Sequence, residues 1–297
     1  MSDFVQQQNS ICDFATSDSW VILSPIEQSI KKKIEAVGTP LKDWDINIYR
    51  GVLTGCNEAF IIDSEKRDEI LANCQTEDER QRTAELIRPI LRGRDIKRYG
   101  YVDNGLYLIN THNGVRGRIP RIKIEDYPAV KAHLDQYWDR IATRADKGDT
   151  PYNLRNCAYL EDFSRPKIIW KRIGSILRFS FDNKGCLGLD STCFAAGEHI
   201  EYLCCVLNSL MGHYLLKDSP KTGTGDLLVS VQAIEPARIP YNAQYDRQLS
   251  SLLGIQIANP SNATEKEIND IVFTMYGLSL NEREYVTQYV KLSQQSL

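Results

Sequence analysis

Between Arg88 and Arg98 five cations, Arg88, Arg92, Arg94, Lys97 and Arg98, fill eleven positions. Two more groups follow, Arg116-Gly117-Arg118-Ile119-Pro120-Arg121, and Arg155-Asn156 with Lys167 to Arg172. A guanidinium is a planar fork that donates two parallel hydrogen bonds, which suits a phosphate or the edge of a guanine. Tyr99, Tyr101, Tyr152 and Trp170 are interleaved with these cations, where their rings would meet sugars or bases. The competing reading is internal ion pairing, Arg94 with Asp95 and Arg98 with Asp103. The polar loop Thr54-Gly55-Cys56-Asn57 presents a hydroxyl and a carboxamide to a backbone or base edge, or is an ordinary turn in which Asn57 takes a positive φ.

Other chemistries lack their residues. Methylation of DNA bases needs an F-x-G-x-G turn and an N-P-P-Y or D-P-P-W loop, and the only Asn-Pro pair is Asn259-Pro260, followed by serine. There is no G-x-x-x-x-G-K-[ST], so Lys221-Thr222-Gly223-Thr224-Gly225 reads as a connecting loop, and there is no G-x-S-x-G elbow. Asp182-Asn183-Lys184, with Asp162 twenty residues upstream, fits the D-x-K half of a metal-dependent nuclease pattern. That pattern recurs by chance, and Asp182 falls where a hairpin turn is expected. The eight cysteines form no C-x-x-C, and the four histidines no H-x-x-x-H or H-E-x-x-H. No zinc site is expected, and the thiols read as reduced and mostly buried, Cys204 and Cys205 acting as small hydrophobes. The sequence therefore points to binding and supplies neither catalytic nor metal-ligating residues.

The chain's 297 residues, 42% apolar and 25% charged, suit one large or two ordinary domains with a real core. No apolar run nears the roughly 20 residues of a membrane span. Met1 to Gln6 lacks the charge and hydrophobicity of a secretory signal, so the cytoplasm is the expected location. Net charge is −3, but the stretch Arg82 to Lys184 holds 21 basic and 12 acidic residues, leaving it at +9 and the remainder at −12. Such asymmetry suits a basic surface facing a polyanion.

The elements that must carry these residues are a strand at Trp20 to Leu23 and a helix opened by the capping box Ser24-Pro25-Ile26-Glu27, with Ile26, Ile30, Ile34 and Val37 on one face. Strands follow at Ile46 to Tyr49 and Ala59 to Ile62. A helix capped at Thr76 runs toward Pro89, a strand covers Tyr107 to Ile109, and a helix covers Pro128 to Arg144 with Val130, Leu134, Trp138 and Ile141 buried. Strands at Lys167 to Trp170 and Leu177 to Phe181 precede a helix from Glu198 to Leu216, and a strand covers Leu227 to Val231. Beyond Pro240 come helices opened by Thr264-Glu265-Lys266-Glu267 and Ser279-Leu280-Asn281-Glu282. The expected class is α+β: a mixed, mostly antiparallel sheet with packed helices and a small C-terminal helical tail. A polar leader (1–19) precedes a recognition body (20–240) and the tail (241–297).

In this order the segments resemble the TaqI-like C-terminal specificity domain, the target-recognition region of type II and IIG restriction-modification adenine methyltransferases. The resemblance lies in Trp20-Val21-Ile22-Leu23, in Ile48 to Asp63 with its Tyr49-Arg50-Gly51-Val52-Leu53-Thr54-Gly55 core, and in Arg88 to Tyr99. Arg165-Pro166-Lys167-Ile168-Ile169-Trp170, Leu207-Asn208-Ser209 and Arg238-Ile239-Pro240 add to it, as does Ile268 to Leu278. It implies sequence-specific binding of double-stranded DNA beside a methyltransferase domain or subunit, with or without an endonuclease. Any S-adenosyl-methionine would belong to that methyltransferase. On this reading Arg92, Arg94, Lys97, Arg98, Arg116 and Arg118 contact phosphates, while Arg50, Thr54, Asn57, Arg155, Lys171 and Arg172 read base edges. The alternatives are a specificity subunit that docks an acidic methyltransferase, and a nuclease with a metal site around Asp162 and Asp182.

Overall fold

The computed structural model describes residues 23–295. The expected strand at Trp20 to Leu23 and the polar leader lie outside them, Leu23 apart. The helices are α1 (Pro25–Val37), α2 (Asn57–Phe60), α3 (Ser64–Ala72), α4 (Glu77–Leu86), α5 (Pro128–Asp135), α6 (Trp138–Thr143), α7 (Ile200–Asn208), α8 (Leu210–Leu215), α9 (Val231–Ile234), α10 (Ala243–Ala258), α11 (Asn262–Met275) and α12 (Leu280–Gln295). The strands are β1 (Thr39–Pro40), β2 (Ile46–Arg50), β3 (Ile61–Asp63), β4 (Ile87–Leu91), β5 (Leu106–Ile109), β6 (Lys167–Lys171), β7 (Ile173–Gly174), β8 (Phe179–Asp182), β9 (Leu187–Gly188), β10 (Thr192–Gly197), β11 (Leu227–Leu228) and β12 (Arg238–Ile239). The class is α+β. No helix among the described residues is long and apolar enough to cross a membrane.

Two four-stranded sheets dominate. One has the order β2-β10-β6-β8 and is antiparallel throughout. The other has the order β3-β5-β4-β9, with only β4 and β9 parallel. The first sheet divides the interior, because successive side chains of a strand point to opposite faces. Ile168 and Trp170 of β6 and Cys193 and Ala195 of β10 join one core, with Leu203, Leu207, Leu249, Ile268 and Val272 from the helices. Ile169, Phe194 and Ala196, one residue out of phase, join a second core with Phe60, Ile90, Leu108, Val130 and Leu134. A strand buried on both faces needs apolar residues without a break, which Ile168-Ile169-Trp170 supply.

Local chemistry sets most ends. The Ser24 hydroxyl accepts from Glu27 N, while the Glu27 carboxylate accepts from Ser24 N at 2.8 Å, so the expected capping box forms at α1. At α12, Ser279 N donates to Glu282 at 2.6 Å. At α11 the cap is Ser261 rather than Thr264, its hydroxyl accepting from Thr264 N at 3.1 Å.

Several expected elements change where tertiary contacts intervene. The helix expected over Pro128 to Arg144 breaks because Gln136 N and Tyr137 N turn back to His133 O and Leu134 O at 3.2 and 3.0 Å. These tighter i→i+3 bonds swing Trp138 off the buried stripe, and it is 44% exposed. The helix expected from Glu198 to Leu216 stops at Asn208. Ser209 is extended and caps α8, its hydroxyl accepting from Gly212 N at 3.1 Å, and Asn269 of α11 takes the Leu210 N–H at 2.7 Å. Residues 57–60 coil because Ala59 N and Phe60 N both return to Cys56 O, so the strand there begins at Ile61. The helix from Thr76 ends at Leu86. Pro89 lies in β4, at the last β4–β5 register pair and before β9 begins to pair, where a missing N–H is tolerated. The later strands shift or shorten to Phe179–Asp182 and Leu227–Leu228.

Candidate nucleic-acid interface

The register of the first sheet places three strand ends side by side. Cys193 of β10 faces Arg50 of β2 on one side and Trp170 of β6 on the other, and Thr192 faces Lys171. Arg50, Lys171 and Arg172 therefore leave the sheet at the edge occupied by the turn Leu189-Asp190-Ser191. Leu189 N donates to Leu91 O at 2.9 Å, which draws the end of β4 to the same turn. Ser191 then binds both neighbours: its hydroxyl accepts from Gly93 N at 3.2 Å and its carbonyl from Arg172 N at 3.0 Å. The approach at Gly93 is close: a Cβ there would lie 2.9 Å from Lys171 Cγ, so a larger residue would displace the lysine side chain. The segments holding Arg50, Arg92, Arg94, Lys171 and Arg172, separated by up to 122 positions in the chain, thus meet at one sheet edge.

The cations there differ in what already holds them. Arg92 is bound to Asp95 through its backbone N–H at 2.8 Å and its guanidinium at 3.1 Å. Burial pushes the Asp95 carboxyl up, but Arg92 and Asn104 outweigh it and hold the group below its ordinary value. Arg50 reaches the Asp190 carbonyl at 3.3 Å and its carboxylate at 3.6 Å. Arg94, Lys97 and Lys171 are exposed, and among the described residues none is paired with a carboxylate. Arg172 is half-buried, and its buried Nε has no hydrogen-bond partner among the described residues.

Most of the remaining candidates have other partners. Arg98 turns toward the C-terminal helices, pairing with Glu265 of α11 and donating to Asn208 O at 2.6 Å. The pairs considered above, Arg94–Asp95 and Arg98–Asp103, are thus replaced by Arg92–Asp95 and Arg98–Glu265. Arg118 is held by Glu161 at 3.0 Å, and Arg155 by Asp146 at 3.2 Å. Arg116 is exposed at a loop tip. Thr54 is buried, its hydroxyl donating to Asn57 Oδ1 and accepting from Cys56 N. Asn57 is exposed and opens α2, and the positive φ of this loop, +66°, belongs to Gly55.

Two aromatic expectations are overturned. Tyr99 and Trp170 are core residues, 2% and 1% exposed, and the Trp170 indole donates to Val229 O at 2.9 Å. Tyr101 donates to Asp182 at 2.9 Å and Tyr152 to Asp135 at 2.6 Å. Asp182 itself ends β8 rather than lying in a hairpin turn. It is fully buried against the Lys167 ammonium at 2.5 Å and also accepts from Lys184 N and Cys186 N. Asp162 pairs with Arg165 at 3.3 Å.

One important residue gave no sequence signal. Arg144 is buried with its guanidinium over the Phe60 ring and donates to the carbonyls of Thr54, Pro151 and Asn153. It clamps the 54–57 loop to the segment carrying Arg155. Burial lowers its pKa to about 10, and among the described residues its hydrogen-bond partners are these carbonyls and no carboxylate.

Neither a family model nor a curated protein matches the sequence. Among solved structures, the fold is similar to part of the type IIL restriction-modification enzyme MmeI, a structure of that enzyme in complex with DNA. The TM-score is 0.59 at 10% identity, over 88% of this chain and 37% of that one. The type IIG restriction endonuclease BpuSI aligns at a TM-score of 0.46 and 14% identity, over 86% of this chain and 34% of that one. The chain thus spans about a third of either enzyme. The MmeI likeness establishes an architecture that occurs within a restriction-modification enzyme.

Proposed function

We propose that this chain binds double-stranded DNA sequence-specifically, as the target-recognition domain of a type II restriction-modification protein of the adenine-methylating kind. The observation that carries the reading is the convergence of the ends of β2, β4 and β6 on the Asp190-Ser191 turn. It gathers cations from three distant segments at one edge, and among the described residues Arg94 and Lys171 there have no carboxylate partner. A polyanion lying along that edge gains those charges without breaking existing pairs. The likeness to part of MmeI supports the same reading. Chemistry on an adenine would come from a methyltransferase domain or subunit that extrudes the base, with S-adenosyl-methionine bound there.

Binding to short duplexes over a range of salt concentrations tests this. Affinity is expected to fall linearly in log–log form, each phosphate contact contributing about −0.9 to the slope. Arg94→Ala is expected to flatten the slope by about one contact. No duplex binding at low salt would dismiss the reading, whereas a metal-dependent cut would favour a nuclease.

A further inference from the structure

The segment from His112 to Ile122 folds back on itself. Ile122 N donates to His112 O at 3.1 Å, and Val115 and Ile119 exchange two backbone bonds of 2.9 Å. Arg118 N also donates to Val115 O at 2.9 Å, closing a turn whose third residue, Gly117, has φ +77°. That position of a type II turn demands a positive φ, which glycine adopts without steric cost. A Cβ built on Gly117 meets nothing within 4 Å among the described residues, so the turn is open at Gly117.

The base of this hairpin is tied down. Asn113 accepts from Asp149 N at 2.9 Å and donates to the Asp149 carboxylate at 3.0 Å, and Arg121 binds the other carboxylate oxygen at 3.1 Å. Buried Asn153 donates to Ile122 O at 2.9 Å. A tip on a fixed base loses little freedom when it binds, which favours affinity and geometric selectivity.

Its arginines are unequal. Arg118 is drawn back by Glu161 and by Ala158 O at 3.2 Å, and Arg121 is occupied by Asp149. Arg116 is exposed and, among the described residues, has no carboxylate partner. The bond of Arg118 sets the hairpin beside residues 158–161, where Tyr159 donates to Arg50 O at 3.0 Å. The hairpin and the end of β2 are thus both bonded to the 158–161 segment.

We infer that the 112–122 hairpin is a preformed finger that enters a groove of the duplex, and that Arg116 reads a guanine there with its two-pronged fork. This rests on the DNA-binding reading above and replaces the phosphate role expected for Arg116. The guanine edge in the major groove presents two acceptors, N7 and O6, spaced for such a fork.

Selection of bound sequences from a duplex library with a randomised core, using the full-length chain, tests the assignment. The chain is compared with Arg116→Ala, Arg116→Lys and, as a control, Lys123→Ala. The wild type is expected to enrich a motif containing a guanine that both Arg116 variants lose, with discrimination at that base pair falling about 10-fold to 100-fold. Lys123→Ala is expected to keep the motif. Retention of the motif by Arg116→Lys would overturn the two-pronged contact, because an ammonium would then serve as well as the guanidinium fork. So would an unchanged motif in Arg116→Ala with a flatter salt slope, or wild-type binding without any enriched sequence. Each of these leaves DNA binding standing, whereas a wild-type chain that binds no duplex removes the finger and the DNA reading together.

Discussion

At the scale of single residues, the two most enclosed charges answer to the fold. Lys167 and Asp182 are both 0% exposed at the side chain, with Lys167 also donating to Phe163 O at 2.6 Å. Burial pushes the Lys167 ammonium down in pKa, and Asp182 opposes it. Removing one partner of a buried pair strands the other charge in a low dielectric, which costs about 3–5 kcal/mol. Asp182→Asn is expected to lower the free energy of unfolding by that amount, read as a lower urea midpoint with an unchanged slope. A change under about 1 kcal/mol would show that the ammonium finds another partner or loses its proton cheaply. In the sequence, Asp182 was visible only as half of a D-x-K pattern. Its partner is fifteen positions away on a neighbouring strand, and no local spacing announces that.

At the scale of elements, capping chemistry was legible and packing was not. The boxes at Ser24 and Ser279 formed because a serine and a glutamate three residues apart settle each other's orphan groups. Glu282, the second half of one box, also joins α12 to α1 through Lys33 at 2.5 Å and Ser29 at 2.7 Å. Burial pushes its carboxyl up, but Lys33, Ser29 and Ser279 pull harder and bring it down from 4.5 to about 2. A carboxylate whose folded pKa is depressed stabilises fully above its unfolded pKa, and that support is lost as pH falls toward the folded value. The contribution, at most about 3 kcal/mol, is expected to fade between pH 4.5 and about pH 2. Glu282→Gln is expected to flatten this acid limb in urea denaturation at stepped pH. An identical limb in the variant would assign the acid sensitivity elsewhere. By contrast, the break at Ser209 depended on Asn269, sixty positions later, and lay beyond any helical periodicity.

At the scale of the whole molecule, the C-terminal helices and the first sheet share one interior. Leu249, Leu253, Ile268, Val272 and Tyr276 lie in the same core as Trp170, Phe179 and Leu203. A chain ending at Pro240 is expected to expose that core and to lose the cooperative thermal transition that the full chain keeps. A sharp transition retained by the shortened chain in calorimetry would make the helical tail a separate unit. The basic edge follows the same logic. It is built where β2, β4 and β6 end, so its geometry depends on strand register, and a slip of one residue would send every side chain to the other face.

By itself the sequence determined the α+β class, the capped helices, the uninterrupted apolar strand at Ile168-Ile169-Trp170 and the concentration of cations in the middle of the chain. These are properties of neighbouring residues, set by hydrogen-bond geometry a few positions apart and by composition. Which cations are free was decided only by the tertiary structure, because Asp95, Asp146, Glu161 and Glu265 select their arginines by proximity in space. Of twelve candidates marked by residue type, Arg94, Lys97, Arg116 and Lys171 emerged exposed and unpaired among the described residues. The Coulomb attraction between side chains falls with distance through space, to which separation along the chain gives no guide.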